Sequence, residues 1–163
     1  VNTINGVGSN EDGKSHDKNG ETMWLSKEKG DIAGVWIQYD FGRLFYLTGM
    51  RIWNYNLLGA TKCGIKESEI QFSTDGRAWA SGSKPALFPE ADGTASYAGF
   101  EHHFDNGVTA RYVKIKVIDN YGGEAVGLSE VKFQYGLQQE TGEKLQSGRI
   151  GQSVGPNPST TKN

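Results

Sequence analysis

Glu130 is the side chain of this 163-residue sequence whose position raises the clearest chemical question, because it stands at the start of a strand-like segment, residues 128–135. A carboxylate at the start of a buried-face strand is costly unless its charge is compensated. The polar segment 2–22 is rich in side-chain oxygens, which are the ligands that calcium prefers. These candidates are Asn5, Asp12, Asp17, Asn19 and Thr22. An ion bound between this segment and Glu130 would stabilise the fold.

A second interpretation of Glu130 needs no ion. Val131, Phe133 and Tyr135 alternate with Lys132 and Gln134, which is the period-two pattern of a half-buried strand. Glu130 is in phase with the polar residues and would then face solvent, and the spacing alone favours this interpretation. The sequence has no EF-hand pattern, so the calcium prediction depends on the loop composition.

Polar and aromatic residues also flank three predicted strands: WNYN (53–56) ends one, KCGIK (62–66) precedes the next, and DNYGG (119–123) ends a third. Sugars are bound by amide and charged side chains that contact vicinal hydroxyls, with an aromatic ring against the apolar face. The candidate ligand-binding residues are Asn54, Asn56, Lys66, Asn120 and Tyr121. The alternative is that the asparagines and glycines only make turns while Tyr121 caps the core.

Little in the sequence indicates a catalytic site. His102 and His103 are adjacent in a predicted strand and therefore point to opposite faces. The sequence contains no G-x-S-x-G, H-E-x-x-H or P-loop motif, and no pair of acids is singled out for glycoside hydrolysis. We therefore expect a protein that is not an enzyme.

Short alternating segments separated by turn signals dominate the chain. They include VWIQYDFG, MRIWNYN, IQFSTDG, YAGFEHHF and ARYVKIKVID. Six or more such strands predict an all-β fold, an antiparallel sandwich or barrel, in a single domain. We place this domain at residues 1–136 and interpret residues 137–163, which end in GPNPSTTKN, as a C-terminal extension or linker.

Bulk properties exclude several partner classes. The formal net charge is −2, so no basic surface is predicted for nucleic acid or anionic membranes. No run of about 18 apolar residues exists that would span a bilayer. The lone Cys63 cannot form an internal disulfide, and the sequence opens with VNTINGVG, which is typical of a fragment or a mature form.

Six motifs in series resemble the discoidin modules, also called coagulation factor 5/8 type C domains or family 32 carbohydrate-binding modules. They are ETMWLS, VWIQYDFG, MRIWNYN, IQFSTDGRAW, TARYVKIKV and GLSEVKF, and the similarity covers residues 2–134. The resemblance implies a galactose-binding-like jelly roll with one structural calcium. Carried over, the calcium ligands are Glu130 and the carbonyl of Ser129. In the expanded loop, Asn5 occupies the position of the family's acid, with Thr22 as the threonine, or Asp17 is the acid instead.

The resemblance further implies a monomeric, non-catalytic carbohydrate-binding module, tethered to a secreted or surface multidomain enzyme that it targets to glycans. A galactose preference is not expected, because Asn54 follows RIW and the CGIK segment supplies Lys66 but no arginine. Other classes stay open. The chain could be an adhesion module for a protein or lipid head group, for which NLLG (56–59) is the candidate loop, a spacer that binds nothing, or an enzyme.

Overall fold

A computed structural model describes residues 3–4, 6, 8–9, 13–26, 30, 32 and 34–136, together with the backbone of 159–162. Short 3-10 helices cover Gly20–Thr22 and Thr61–Cys63. The strands in this part of the chain are β1 (Trp24–Leu25), β2 (Trp36–Asn54), β3 (Ile65–Ser73), β4 (Ala80–Ser81), β5 (Ala86–Leu87), β6 (Phe100–Asn120), β7 (Gly127–Gly136) and β8 (Ser159–Lys162). None of the helices within the described residues has the length and hydropathy needed to cross a bilayer.

Two long strands, β2 and β6, run through both layers of the fold. The first part of β2, residues 36–40, pairs with β6 on one side and β8 on the other, and β6 continues the layer to β3. The second part of β2, residues 46–54, pairs with residues 100–109 of β6 and with β7. Outer strands complete the layers, with β4 and β5 on β3 and β1 on β7. All of these ladders are antiparallel.

The core lies between these two layers. Ile37 and Tyr39 alternate with half-buried residues along β2 and are fully buried, as the period-two pattern predicts. The Phe133 ring of β7 packs edge-on against Tyr39 at 5.0 Å and against Phe41 at 4.9 Å between ring centroids. Side chains of the two layers therefore interlock, which confirms the all-β, antiparallel sandwich.

The structure joins segments that the sequence presents as separate strands. VWIQYDFG and MRIWNYN form one strand, β2, and YAGFEHHF contributes its end to the same strand as ARYVKIKVID, β6. The ladder between β2 and β6 changes register between Asp40 and Phe45 and again between Leu47 and Gly49. These irregularities let a strand bend from one layer to the other without ending.

The extension after residue 136 is not only a linker. Ser159–Lys162 forms β8 and pairs with Ile37–Asp40 of β2, so the sheet includes residues beyond the predicted domain boundary. Local composition did not predict this strand, because the pairing is with an edge more than a hundred residues earlier. The intervening residues 137–158 lie outside the described residues.

Candidate functional site

Asn54 organises the loops at the end of the sandwich where β3 begins. Its amide nitrogen donates to the carbonyls of Ile65 at 2.7 Å and Pro89 at 2.8 Å. Its amide oxygen accepts from the backbone N–H of Tyr55 and of Ile65, both at 2.9 Å. The side chain is fully buried. One asparagine thus connects the end of β2 to the start of β3 and to the segment before residue 90.

Asn56 connects the N-terminal loop to the segment around residue 93 in a similar way. Its amide nitrogen donates to the carbonyls of Asp17 at 3.1 Å and Thr94 at 2.7 Å, and its oxygen accepts from the Gly93 N–H at 2.9 Å. It too is fully buried. Two loops that are distant in the sequence, around Asp17 and around Gly93, are therefore held to the loop of Asn56 by one side chain.

Asn120 and Tyr121 hold the loop after β6. The Asn120 amide donates to the carbonyls of Gly123 at 2.9 Å and Ala125 at 3.0 Å, and it is 5% exposed. The half-buried Tyr121 donates its hydroxyl to the carbonyl of Phe88 at 2.7 Å. The Gly123 N–H reaches the Lys62 carbonyl at 2.9 Å, so the loops around Lys62, Phe88 and Tyr121 meet.

These contacts correct part of the predicted ligand-binding set. Asn54 and Asn56 have no exposed surface, and Asn120 has almost none, so their amides cannot contact a sugar in this arrangement. The physical reason is that loop backbone groups removed from water need partners, and the asparagine amides supply them. The alternative interpretation, in which the asparagines make turns, describes all three side chains.

A polar surface remains exposed at this end, and we call it the loop-end surface: Lys62, Lys66, Glu90, Asp119 and Tyr121. Lys66 lies 2.9 Å from Asp119, and Lys62 lies 3.3 Å from Glu90. The hydrogen bond from Lys66 lowers the pKa of Asp119 below its ordinary value. Thr61 also donates to Glu90, at 2.7 Å. Lys66 and Tyr121 belonged to the predicted set.

Sequence reasoning missed the other three residues of the loop-end surface. Lys62 and Asp119 stand within the quoted strand-end motifs, KCGIK and DNYGG, so charge at those positions was the available signal. Glu90 follows Pro89 in a loop with no motif, and Asn54 helps to hold that loop in place through the Pro89 carbonyl.

Glu130 is buried, with 1% of its surface exposed, so the solvent-facing interpretation is wrong. Its Oε1 accepts from the Gly6 N–H at 3.1 Å, and among the described residues its Oε2 has no hydrogen-bond partner. Burial raises the pKa of Glu130 to about 7. The N-terminal loop covers it, because the Thr3 carbonyl accepts from Val131 N–H at 2.8 Å. The alternation pattern of the strand could not predict this burial, because the covering loop is distant in the sequence.

Asp17 and Thr22 meet in the same loop. The Thr22 hydroxyl donates to Asp17 Oδ1 at 2.7 Å, and a Cβ atom added to Gly8 would lie 2.9 Å from each of these oxygens. Gly8 therefore leaves room beside two oxygen donors. Ser129 is fully buried, and its hydroxyl donates to the Asn54 carbonyl at 2.8 Å.

Asn5 and Asp12 lie outside the described residues. Within the described ones, no group of three or more His, Cys, Asp or Glu side chains is placed to hold a metal ion.

Comparison with known proteins places the chain in a family. The model of the F5/8 type C domain matches residues 3–131. A search of curated protein sequences found no match. Solved structures with the same fold include the C-terminal domain of a chitobiase from Bacteroides fragilis, with a TM-score of 0.57 and 20% identity over 82% of this chain and 87% of that one.

Two further similar structures contain bound sugars. The module CpGH89CBM32-5 from Clostridium perfringens, in complex with GalNAc-β-1,3-galactose, has a TM-score of 0.54 and 17% identity over 74% of this chain and 81% of that one. The CBM32 of AlyQ, in complex with 4,5-unsaturated mannuronic acid, has a TM-score of 0.53 and 19% identity over 80% and 81%. The family match, which spans most of the sandwich, shows that this chain belongs to the F5/8 type C domain family.

Proposed function

We propose that this chain binds carbohydrate at the loop-end surface and does not transform it. The observation that carries the proposal is that three buried asparagines fix four loops so that Lys66, Asp119 and Tyr121 are presented together. Ammonium and carboxylate groups can bind vicinal hydroxyls, and a tyrosine ring suits the apolar face of a sugar. The sugars bound by two structures of the same fold support this ligand class.

Charge balance supports recognition of hydroxyl groups. Each lysine of the loop-end surface already lies within 3.3 Å of a carboxylate, so the four charged groups leave no net charge. A preformed site saves the cost of ordering loops on binding. For a single exposed site of this kind we expect a dissociation constant on the order of 10 μM to 1 mM.

The biological role that we propose is targeting. A weak module raises the local concentration of an attached partner through tethering, and this suits a module joined to a secreted or surface enzyme that acts on glycans. One observation favours a second candidate function, adhesion to a protein or lipid head group. Leu58, in the predicted NLLG loop, is 66% exposed.

We further propose that calcium is held by Glu130, Asp17 and Thr22, with the Ser129 carbonyl and Asn5 as additional ligands. What supports this ion is that Oε2 of the buried Glu130 has no hydrogen-bond partner among the described residues, and that Asp17 and Thr22 offer hard oxygens beside Gly8. When bound, calcium supplies positive charge that fastens the N-terminal loop to β7. It takes no part in any reaction.

A glycan-array screen of the chain in calcium tests the carbohydrate proposal. The main variant is Lys66→Ala/Asp119→Ala, which removes both partners of an exposed ion pair and leaves neither charge unpaired. We expect binding in the wild type and at least a tenfold loss in this variant and in Tyr121→Ala. Lys116→Ala, an exposed lysine of β6 outside the surface, is the control. Equal binding by the wild type and the double variant would show that the sugar site lies elsewhere. Binding to immobilised protein or lipid in place of glycans would favour the adhesion function.

A further inference from the structure

A cleft of about 880 Å³ lies between β3, β4 and the first half of β6. It is lined by the second half of β3, including Ile70 and Ser73, whereas the loop-end surface contains Lys66, near the start of that strand. With about 3.4 Å per strand residue, Lys66 lies about 14 Å along β3 from Ile70 and about 24 Å from Ser73. The cleft volume is within the range of small-molecule sites. It is therefore a separate concavity with room for a ligand.

One wall of the cleft is a bulge in β6. Between the pairs Leu47–Val108 and Gly49–His103, β2 advances two residues while β6 advances five. Asn106 in this bulge has φ 60°, and among the described residues it is the only non-glycine with positive φ. Its carbonyl accepts from the Tyr46 hydroxyl at 2.6 Å. Bulges and strained residues occur disproportionately at functional sites, and this one presents Asp105 to the cleft.

The opposite wall is a turn that its own hydrogen bonds hold in place. Asp75 Oδ1 accepts from the N–H of Arg77 at 2.8 Å and of Ala78 at 3.0 Å, and the Ser73 hydroxyl accepts from Gly76 N–H at 2.9 Å. The next residue, Trp79, lines the cleft, and Lys114 Nζ lies 3.8 Å from its ring centroid. Both walls are therefore formed before any ligand arrives.

The lining combines an apolar floor with a polar rim. Phe72 and Phe104 pack edge-on at 4.8 Å and are buried in the core, whereas Trp79 is half-buried and supplies the aromatic surface. The rim carries Ser83, Lys84 and Asp105, with Ser83 Oγ 3.4 Å from Asp105 Oδ2. Burial lowers the pKa of His102, which favours its neutral form. Lys84 and Asp105 carry opposite charges, so the rim favours an uncharged ligand with many hydroxyls and an apolar face.

We propose that this cleft is a second carbohydrate site, which takes a neutral oligosaccharide segment. The ring of Trp79 contacts the apolar face of the sugar, Asp105 accepts from its hydroxyls, and Lys84 and Ser83 donate to them. The site goes beyond the loop-end surface and does not depend on it. Two sites on one module would let it hold two parts of one glycan, or two chains.

Titration of the isotope-labelled full chain by ¹H–¹⁵N NMR tests this site. The probes are cellotetraose, xylotetraose, galactotetraose and tri-N-acetylchitotriose, with trigalacturonate as an anionic comparison. We expect at least one neutral probe to give saturable shift changes at amides 81–84 and 105–107. Asp105→Ala and Lys84→Ala should weaken this binding at least tenfold, whereas Lys116→Ala should not change it. Ser83→Trp, which fills the cleft from an exposed position, should abolish it.

The outcomes separate the two proposals. Shift changes confined to residues 62–66 and 119–121 would overturn the cleft site and leave the loop-end site standing. Changes confined to 81–84 and 105–107 would support the cleft and overturn the loop-end site. Tighter binding of trigalacturonate than of every neutral probe in the cleft would overturn the neutral class. No change at the cleft amides with any neutral probe would overturn the second site.

Discussion

Buried asparagine side chains replace regular backbone hydrogen bonding at the loop end of the sandwich. Asn54, Asn56 and Asn120 each use both amide atoms on backbone groups of loops. Such loops have no ladder partner, and unpaired buried backbone groups are costly. The asparagines therefore act on the proposed ligand site indirectly, by positioning the exposed residues.

Replacement of Asn56 by alanine should destabilise the whole protein. The change leaves the carbonyls of Asp17 and Thr94 and the Gly93 N–H without their partner in a buried place. We expect a loss of about 2–4 kcal/mol in the free energy of unfolding, measured by urea denaturation. Gln38→Ala, on the outer face of β2, is the control and should change it by less than about 0.5 kcal/mol. A neutral Asn56→Ala would show that these loops are held by other contacts.

Asp40 should contribute to stability in a pH-dependent way. Arg111 donates to both of its oxygens, at 2.7 and 2.9 Å, and these hydrogen bonds lower its pKa below the ordinary value of 3.8. A lowered folded-state pKa means that the contribution is fully present above pH 3.8 and is lost as pH falls through the lowered value. The stability difference between wild type and Asp40→Asn should therefore be constant near neutral pH and shrink in acid.

Thermal melts across that acid range measure this difference. Arg111→Gln is the companion variant, because it removes the same hydrogen bonds from the other partner. If the stability differences of the two variants change with pH in opposite directions, the Asp40–Arg111 ion pair is not the source of the pH dependence.

At the scale of elements, the N-terminal loop depends on its attachment to β2 and β7. Trp53 of β2 donates to the Lys14 carbonyl at 3.1 Å, and Lys132 of β7 donates to that of Gly13 at 3.2 Å. These contacts, with those of Glu130 and Val131, hold the N-terminal loop against the sandwich. The proposed calcium ion would act at this attachment.

Chelation of calcium should lower the melting temperature of the wild type by several degrees. An ion at 100 times its dissociation constant stabilises the folded state by about 2.7 kcal/mol, and about 1 kcal/mol shifts the melting temperature of a domain of this size by about 2–4 °C. Glu130→Ala should melt at the same temperature with and without calcium. Glu124→Ala, an exposed acid before β7, is the control and should keep the calcium response. An unchanged wild-type melt after chelation would remove the metal proposal.

At the scale of the whole molecule, β2 and β6 make the two layers a single cooperative unit. Each strand contributes to both layers, and Phe133 packs across the core onto Tyr39 and Phe41. If one layer unfolded while the other stayed paired, β2 and β6 would have to break in their middle. We therefore expect two-state unfolding.

Phe133→Ala should test this cooperativity. The side chain is 9% exposed, and its loss leaves a cavity between the layers, which should cost about 3–5 kcal/mol of stability. Tryptophan fluorescence and far-ultraviolet circular dichroism should still give coincident transitions, shifted together. Leu44→Ala, at a side chain that is 54% exposed, should change little. Separate transitions for the two probes would mean that the layers unfold independently.

Local sequence patterns determined the alternation of the main strands, the sandwich class and the family. Alternation along residues 35–41 and 131–135 predicts which side chains face the core, because the period of a strand is a local property of the backbone. The six motifs predicted the family from local sequence as well, and the family match confirms that assignment.

Burial and long-range neighbours were decided only by the tertiary structure. Strand phase put Glu130 on the solvent face, and it is buried because the backbone of Thr3 and Gly6 contacts the start of β7. Asn54 and Asn56 were chosen for sugar chemistry, and they are buried because loops from positions 16–17, 65, 89 and 93–94 close over them. The cleft likewise forms from a turn and a bulge about thirty residues apart. A side chain's type sets what it can bind, but its access to solvent depends on segments that no local pattern contains.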